Sequence, residues 1–399
     1  MKLKVSKRAI FIIIIGVVLG LLACGGLFIY ANFFVDKDFV EAVPKKFVKK
    51  PREYELKLFM VGDALIHQAV YYDAMQSDGS YDFKPMMDLI KPISSSYDLA
   101  YYNQETILGG ASIGYSHYPR FNSPQEVGDA FIDAGFDLVS LATNHTMDKG
   151  EQGVINSVNY WNSKEGIITS GQWISQEERD RVRIYEKNGI KYAFFSYTTL
   201  TNGLNTPYGK EYLNNVYSDE KARYDIEKVR SQVDVVMVAM HWGTEYSLGV
   251  SDEQTRISNY LSSLGVDLII GSHPHVVEPV EYINDRKTFV IYSLGNFISA
   301  QIGVERLTGL MMEVTIKKVV DVDDTVRVSI ENPKADLTYT RYYANSNNPD
   351  FEVFPYSQLN DNILPNYQSY YEKYKAVVSS RYPELQWGIT GAWFYGDCK

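Results

Sequence analysis

Cysteine is nearly absent from this chain, and its two copies stand far apart. Cys24 lies in an apolar N-terminal run, and Cys398 is the next-to-last of 399 residues. Two cysteines so placed are not expected to pair, so the sequence excludes a disulfide framework in the folded part. It also excludes a metal site built on thiolates, which leaves nitrogen and oxygen side chains as the ligands of any bound metal.

Motifs for several enzyme classes are missing as well. The one Gly-x-Ser-x-Gly match, Gly110-Ala111-Ser112-Ile113-Gly114, does not lie at a predicted strand-to-helix turn, the context in which this motif exposes a nucleophilic serine. No Walker or dinucleotide-binding glycine pattern follows a predicted strand. The sequence therefore argues against a serine hydrolase of that fold, a P-loop enzyme and a nicotinamide-dependent enzyme.

Positive charge is scarce beyond the N-terminus. The first 52 residues hold 10 of the 39 Lys and Arg but only 3 of the 49 Asp and Glu, so the remainder carries 29 basic and 46 acidic residues. Its formal net charge is therefore −17. Sequence-independent nucleic-acid binding depends on basic patches, so we expect no nucleic-acid partner. An anionic substrate would need cations placed locally.

One long hydrophobic run is present, at the N-terminus. Residues 9–35 contain no charge and follow four basic residues; about 20 apolar residues suffice to cross a bilayer. The run exceeds the core of a secretory signal, about 7–15 residues, so it predicts a retained single-pass anchor. The sequence Leu21-Leu22-Ala23-Cys24 resembles a lipoprotein cleavage box, but the run continues past it, which makes lipoprotein anchoring less favoured.

The topology prediction places residues 1–8 in the cytoplasm and the folded part outside the cell. Six basic residues follow the run between Lys37 and Arg52, so a plain charge count opposes this orientation. The charges nearest the run are mixed, however, and long domains translocate largely regardless of charge. Residues 36–54 are predicted to be a basic stalk, read as a solvated linker in preference to a lipid-binding patch.

Beyond the stalk, strand and helix patterns alternate, which indicates an α/β domain whose sheets are covered by helices. We assign this domain to 55–320, a β extension to 321–345 and a Tyr-rich C-terminal segment to 346–399. Apolar runs predict strands, and the main predicted helices span 84–94, 124–134, 150–164, 221–231, 252–264 and 367–380.

Polar side chains of ligand type follow the predicted strands. Four times an aspartate precedes an apolar strand that leads into such residues, and four of the six histidines lie at these places. The clearest case is Gly271-Ser272-His273-Pro274-His275, where Gly271 permits a strained backbone angle and Pro274 stiffens the path between the rings. Taken alone this motif is equally compatible with a polar turn. Together, the strand ends supply Asp63, Glu105, Asn144, His241, His273 and His275.

These six residues predict a metal site at one sheet edge. Mixed oxygen and nitrogen donors favour Mn, Fe or Zn. Six donors, two of them carboxylates, suit two divalent ions sharing one carboxylate, a pair that activates water against a phosphoryl group. His145 follows Asn144 directly and is the candidate general acid. Singly, Asp63 is equally a helix cap, Asn144 is more often a turn residue, and His67 more often belongs to a helix or the surface.

In order and spacing, these motifs resemble the poly-γ-glutamate capsule biosynthesis (CapA-type) family of the calcineurin-like metallophosphoesterases. The resemblance covers roughly 56–315 and implies a four-layer αββα sandwich with the six donors as metal ligands, His145 as general acid, and Glu245 and Asn296 beside the site. His67 and Arg120 are further candidates for substrate contact or for support of the site. The motifs that carry it are Val61-Gly62-Asp63, Asn103-Gln104-Glu105, Thr143-Asn144-His145, His241-Trp242-Gly243-Thr244-Glu245, Gly271-Ser272-His273-Pro274-His275 and Ser293-Leu294-Gly295-Asn296-Phe297.

The sequence departs from the ordinary phosphoesterase pattern at two places. Ala64 and Leu65 follow Asp63 where Asp-x-His is usual, so the first metal position is short of a ligand, and the bridging residue is Glu105 instead of an aspartate. The resemblance implies a membrane-anchored, externally facing role in making or exporting an anionic capsule polymer, alongside other capsule-synthesis membrane proteins. With the predicted metal site, it leads us to expect a metal-dependent, hydrolase-like protein. A non-catalytic assembly scaffold and a cell-wall phosphodiesterase unrelated to capsule are the alternatives.

Overall fold

The computed structural model describes residues 6–33, 50–343 and 350–389. The chain divides into two compact units, Met1–Lys50 and Pro51–Lys399. Most of the predicted stalk lies outside the described residues. Cys398 does as well, and with it the prediction that the two cysteines do not pair. Within the described residues, Cys24 is an exposed free thiol.

The first unit contains one long helix, α1 (Lys7–Phe33). Its segment Lys7–Leu27 has a mean hydropathy of 2.9 over 21 residues, long and apolar enough to cross a membrane. An N-terminal helix of this kind is either a single-pass anchor or a signal sequence.

The second unit alternates helices and strands. Its helices are α2 (Gln68–Asp73), α3 (Lys91–Ser94), α4 (Glu126–Asp133), α5 (Gly150–Asn162), α6 (Gln176–Asp180), α7 (Asp219–Arg230), α8 (Asp252–Ser263), α9 (Val304–Leu307) and α10 (Tyr367–Val378). Its strands are β1 (Arg52–Leu65), β2 (Leu99–Gln104), β3 (Leu138–Ser140), β4 (Ile168–Ser170), β5 (Tyr185–Lys187), β6 (Ile190–Thr198), β7 (Val235–His241), β8 (Leu268–Ser272), β9 (Val280–Ile283), β10 (Thr288–Ile291), β11 (Asn296–Ser299), β12 (Thr308–Val320), β13 (Val326–Arg341), β14 (Glu352–Pro355) and β15 (Gln386–Trp387).

The strands form two sheets. The first has the order β14-β13-β12-β1-β2-β3-β4, with β11 also paired to β1 and β15 to β13. The second has the order β5-β6-β7-β8-β10-β9. The run β1-β2-β3-β4 is parallel, and so is the run β6-β7-β8-β10. Each sheet thus gathers several carboxyl ends at one edge, where α/β folds build their sites.

The sheets pack face to face, with helices on both outer faces. In β1, Leu58 and Met60 enter the core between the sheets, while Phe59 and Val61 enter the core beneath α2 and α4. Alternation of this kind follows from the two-residue period of a strand. The second sheet alternates likewise between the central core and the core beneath α7 and α8. The predicted four-layer αββα sandwich is confirmed.

Each of the four repeated aspartates stands at the start of a parallel strand and binds its neighbour. Its carboxylate accepts a hydrogen bond of 2.7–2.9 Å from the backbone N–H of the preceding strand in the sheet. These bonds fix strand pairing at the sheet edge opposite the site. The pairs are Asp98 with Lys57, Asp137 with Ala100, Asp234 with Lys191 and Asp267 with Val236.

The helix predicted over 84–94 is interrupted in the structure. A 3₁₀ turn covers Lys84–Met87, and the short α3 begins only at Lys91. Pro85 and Pro92 each occupy the first turn of a separate element. Proline has no amide hydrogen and clashes with the preceding turn, so Pro92 starts a new helix instead of continuing the old one.

The predicted β extension is part of the first sheet itself. Hairpin strands β12 and β13 pair along their length, and β12 also pairs with β1 from Arg52 to Met60. Strand β1 therefore begins three residues before the predicted domain start. The described part of the C-terminal segment contributes β14 and β15, both paired with β13. The hairpin pattern was recognisable, but its partner strand lies more than 240 residues away in sequence.

Candidate metal centre

The polar strand ends of both sheets meet at one place. Among the described residues there are three groups of His and carboxylate side chains, and within each group the ligand atoms lie within 4.8 Å of one another. We define position one as Asp63, Glu105 and His275, and position two as Glu105, His241 and His273. A third group contains Glu245, His273 and His275. We call the residues of these three groups the cluster. Glu105 belongs to both positions, as expected of a bridging carboxylate.

Asp63 is held from several sides at the end of β1. Asn103 Nδ2 donates to Asp63 Oδ1 at 2.9 Å, and the backbone N–H of His273 donates to Oδ2 at 3.3 Å. Ser140 Oγ in turn donates to Asn103 Oδ1 at 2.6 Å, which orients the amide. These hydrogen bonds fix the direction of the Asp63 carboxylate at the end of the strand. They do not support the alternative in which Asp63 caps a helix.

His275 lies between the two carboxylates of position one. Its Nδ1 is 3.3 Å from Asp63 Oδ2 and 3.0 Å from Asn296 Oδ1, and its Nε2 is 3.7 Å from Glu105 Oε1. Burial disfavours the charged ring, but the Glu105 charge and the Asp63 interactions outweigh burial and raise the pKa of His275 to about 9. Asn296 thus touches a candidate ligand directly and orients its ring.

His241 joins position two to Asn144. Its Nε2 is 3.0 Å from Asn144 Oδ1 and 3.9 Å from Glu105 Oε1, and its Nδ1 is 3.1 Å from Ser272 Oγ. Burial, reinforced by the neighbouring imidazoles, lowers the pKa of His241 well below its ordinary value. A neutral imidazole anchored through one nitrogen is the form that binds a metal.

Three buried atoms of the cluster have no hydrogen-bond partner. They are both carboxylate oxygens of Glu105 and Nδ1 of His273. Leaving a buried charged group unsatisfied costs more than about 1–3 kcal/mol. Burial, with the Asp63 and Glu245 charges adding to it, raises the pKa of Glu105 well above its usual range despite the opposing effect of His275. Without a cation, protons balance the negative charge of these carboxylates. The unpartnered oxygens and nitrogen are donors of the kind that bind a divalent metal.

The two histidines of the motif adopt unusual backbone angles. His273 has φ 96° and His275 has φ 59°, a region that side-chain-bearing residues seldom occupy. Such strain is found where a site requires it. The predicted strain at Gly271 is absent, because this residue lies within β8 with ordinary angles. Glycine is needed there for space, since a Cβ would stand 1.9 Å from the carbonyl oxygen of Tyr292.

His145 sits beside the cluster with its ring fixed. Its Nδ1–H donates to Asp148 Oδ2 at 2.7 Å, and the same oxygen accepts the backbone N–H of Phe121 at 2.7 Å. The Phe121 ring meets the imidazole edge-on at 4.7 Å between centroids. Asp148 therefore fixes the tautomer that leaves Nε2 free.

A cavity of about 330 Å³ opens beside these residues. His145, Glu245, Arg120 and His67 line it, as does His275. The cavity therefore connects the candidate general acid with position one. Its other lining residues are Leu65, Tyr118, Pro119, Phe121, Asp148, Asn202, Leu204, Tyr246 and Gln301.

His67 faces the cavity but belongs to none of the three groups found among the described residues. Its Nδ1 is 3.0 Å from the carbonyl oxygen of Leu65, and burial lowers the pKa of His67 to about 4. It precedes α2 as a neutral, partly buried ring. Arg120 is exposed at the same cavity.

Several supporting residues were not assigned a role from the sequence. They are Asn103 and Ser140 behind Asp63, Ser272 behind His241, Asp148 behind His145, and Asn202, whose Oδ1 accepts from Asn144 Nδ2 at 3.4 Å. The spacing His-x-x-Asp offered a signal for Asp148 alone, because residues three apart in a turn approach each other. The others come from strands and loops remote in sequence.

Behind the His-x-His loop lies Glu278, a buried acid outside the cluster. Its Oε2 accepts from Gln254 Nε2 at 2.6 Å and its Oε1 has no partner. Burial, opposed in part by Gln254 and Arg381, raises the pKa of Glu278 to about 8. Because the folded protein holds this proton more tightly than the unfolded chain, stability contributed by the neutral form is present below about pH 4.3 and is lost as pH rises through 8.

We therefore expect Glu278→Gln to stabilise the protein progressively as the pH rises. The gain in free energy of unfolding over wild type should grow by about 2 to 4 kcal/mol between pH 4.5 and pH 8, at roughly 1.4 kcal/mol per unit of pKa difference. Urea unfolding of both proteins across this range measures it. A difference that stays constant with pH would contradict the assignment.

Comparison with known proteins gives a family and several relatives. A family model described as bacterial capsule synthesis protein PGA_cap matches residues 57–301. The PGA biosynthesis protein CapA of Bacillus subtilis (strain 168) is 28% identical over 187 residues, which cover 47% of this chain and 48% of that protein. The capsule biosynthesis protein CapA of Bacillus anthracis is 23% identical over 262 residues, 64% of this chain and 62% of that protein. The matches thus span about half to three fifths of these relatives.

Solved structures with a similar fold include a phosphatase from Mycoplasma pneumoniae, at 15% identity and a TM-score of 0.41, covering 70% of this chain and 94% of that one. A putative 5′-nucleotidase from Staphylococcus aureus is 14% identical with a TM-score of 0.42, covering 80% of this chain and 58% of that one.

Proposed function

Because this chain belongs to the bacterial capsule synthesis protein family PGA_cap, we propose that it is a membrane-anchored, metal-dependent hydrolase acting outside the cell. Its substrate would be a phosphoester or an amide-linked anionic polymer of the poly-γ-glutamate type, met during synthesis or export. The family membership supports the role in capsule formation. The arrangement of the described residues supports the chemistry.

The observation that carries the proposal is the state of Glu105. This residue is 1% exposed, lies between three histidines and a second carboxylate, and has two oxygens without hydrogen-bond partners. Buried carboxylates are paired or bind metals. Two divalent ions sharing Glu105 would satisfy both oxygens and balance Asp63, while His241, His273 and Asn144 complete the surroundings. Oxygen and imidazole donors without sulfur favour Mn, Fe or Zn.

When bound, such an ion pair polarises a substrate oxygen and supplies a water nucleophile near neutral pH. The residues of this chain do the rest. Asp63, fixed by Asn103, and His275, fixed by Asn296, set where the substrate oxygen lies. His145 faces the same cavity, and its ring, when protonated on both nitrogens and held through Nδ1–H by Asp148, would give the Nε2 proton to the leaving atom.

Arg120 supplies a cation at the cavity in a chain that is otherwise strongly acidic. An anionic polymer approaching such a surface experiences repulsion except where positive charge is placed locally. We propose that Arg120 binds an anionic group of the substrate and that His67, being neutral, lines the path beside it.

Helix α1 supports the placement at the membrane. It begins in the basic leader, and its 21-residue segment Lys7–Leu27 has a mean hydropathy of 2.9. We propose that it is retained as a single-pass anchor with the second unit outside, where the growing polymer emerges. Other membrane proteins of capsule synthesis are the proposed partners.

The test is metal content together with hydrolysis, measured on the full chain in detergent. We expect about two ions of Mn, Fe or Zn per chain and hydrolysis of members of a panel of phosphodiesters and γ-glutamyl peptides. His273→Ala should lose bound metal and activity, whereas His117→Ala, on an exposed loop, should keep both. Less than one ion per chain in the wild type, with capsule function unchanged in His273→Ala, would leave a non-catalytic scaffold as the explanation.

A further inference from the structure

The two metal positions differ in their number of candidate ligands. Position two has Glu105, His241 and His273, and Asn144 Oδ1 lies 3.0 Å from His241 Nε2 as a fourth donor. Among residues 6–33, 50–343 and 350–389, position one has Asp63, Glu105 and His275. Zinc and the other first-row divalent ions take at least four ligands, so position one is incomplete unless another side chain or water joins it.

Asn296 is already committed to other partners. Its Oδ1 is 3.0 Å from His275 Nδ1, and its Nδ2 donates to Gln301 Oε1 and to the carbonyl oxygen of Arg306. These bonds make Asn296 the group that orients the His275 ring. His67 is in none of the metal-type groups among the described residues and bonds to the backbone at Leu65.

Glu245 is a further acidic side chain in the metal-type groups found among the described residues. A carboxylate oxygen of Glu245 lies within 4.8 Å of ligand nitrogens of both His273 and His275. The approach is built into the backbone, because the N–H of Tyr246 donates to the carbonyl oxygen of Pro274 at 2.8 Å. The adjacent parallel strands β7 and β8 bring these two loops side by side, with His241 opposite Ser272.

We propose that Glu245 is a direct ligand of the ion at position one, which makes that position a site of three carboxylates and one imidazole. This inference rests on the proposed function, since it assumes that the cluster binds metal. The alternative for an exposed glutamate is a purely solvated role. A loop-to-loop hydrogen bond that holds it beside two buried, strained histidines favours the ligand role.

The ligand count predicts different metal preferences at the two positions. Position one offers oxygen from Asp63, Glu105 and Glu245 with a single nitrogen, a set that suits a hard ion such as Mn²⁺. Position two has two imidazoles and suits Zn²⁺ or Fe²⁺ equally well. Three carboxylates at position one also carry most of the negative charge of the cluster, so the ion there is the one that most reduces its repulsion.

The experiment is a titration of the full chain, purified in detergent and stripped with a chelator, with Mn²⁺ alone. Bound Mn²⁺ is followed by electron paramagnetic resonance, because two ions joined by Glu105 give an exchange-coupled signal distinct from that of one ion. Wild type should bind two Mn²⁺. Glu245→Gln should weaken binding of one Mn²⁺ by about 100-fold or more and leave an uncoupled signal. Glu253→Gln, an exposed glutamate of α8, is the matched control and should bind two.

A second variant, Glu245→His, distinguishes loss of a ligand from a general disturbance of the site. Glu245→His keeps a ligand of another kind, so it should again bind two ions but with Zn²⁺ favoured over Mn²⁺ at position one relative to wild type. Two Mn²⁺ bound by Glu245→Gln with unchanged affinity would overturn the inference while leaving the proposed function intact. A wild-type protein that binds no divalent ion would overturn both.

Discussion

Glu105→Gln is expected to stabilise the metal-free protein and to abolish its response to metal. The substitution keeps the shape of the side chain and removes a buried carboxyl group whose ionisation burial disfavours and whose oxygens have no partner. We expect the free energy of unfolding without metal to rise by about 1 to 3 kcal/mol. Wild type should gain about 2.7 kcal/mol when free metal is about 100 times Kd, and the variant should gain almost nothing because both positions share this residue.

Opposite signs make this prediction specific to a metal ligand. A residue that only supports packing would lose stability with or without metal. The measurement is thermal or chemical unfolding of the full chain in detergent, with chelator and with added Mn²⁺ or Zn²⁺. Glu253→Gln provides the control and should behave as wild type in both conditions. If Glu105→Gln destabilises the chelated protein and still responds to metal, the bridging role is wrong.

His145→Ala is expected to lower kcat by about 10²- to 10⁴-fold, the usual contribution of a general acid. The loss should depend on the leaving group. A phosphodiester with an alkyl leaving group needs a proton to depart and should show the full effect, whereas a nitrophenyl ester leaves as a stable anion and should be nearly unaffected. Metal content should remain that of wild type, because His145 belongs to none of the metal-type groups of the described chain.

Asp148→Asn separates positioning from proton transfer. The carboxylate at 2.7 Å holds the His145 tautomer, so its removal should lower kcat less than His145→Ala and should shift the pH dependence of kcat, with KM little changed. His117→Ala is the matched histidine control. Equal losses for alkyl and nitrophenyl substrates in His145→Ala would assign this residue to binding and not to proton donation.

The sequence was sufficient for the parts of the fold that depend on local pattern. Apolar runs predicted strands at β1 and β7, and both strands are present, with side chains that divide between two cores. Helix α8 begins beside the capping box of Ser251 and Gln254 and ends just before Gly265, close to the predicted bounds. These signals act within a few residues, so they can be read without the tertiary structure.

What the sequence left undetermined depends on distant contacts. The partner of the β12–β13 hairpin is β1, a pairing that no local pattern specifies. Glycine is required at 271 because the backbone of Tyr292 approaches it closely, a contact that the sequence does not reveal. The motif itself predicted backbone strain at this glycine, and the structure places that strain at His273 and His275 instead. Ser140 supports Asp63 through Asn103, a chain of contacts between three strands.

The aspartates at the strand starts have a consequence for the precision of the site. Asp98, Asp137 and Asp234 each precede a candidate ligand by seven residues, namely Glu105, Asn144 and His241. Strands β2 and β7 span nearly the whole of this distance at about 3.3 Å per residue, and the aspartate before each strand is hydrogen-bonded to the neighbouring strand. These two strands, one from each sheet, therefore place Glu105 and His241 at similar distances from their starting aspartates, whereas Asn144 follows the short β3 through a turn. A shift of one residue in strand register would turn the candidate ligand to the other face of its sheet. The aspartate hydrogen bonds at the strand starts oppose such a shift.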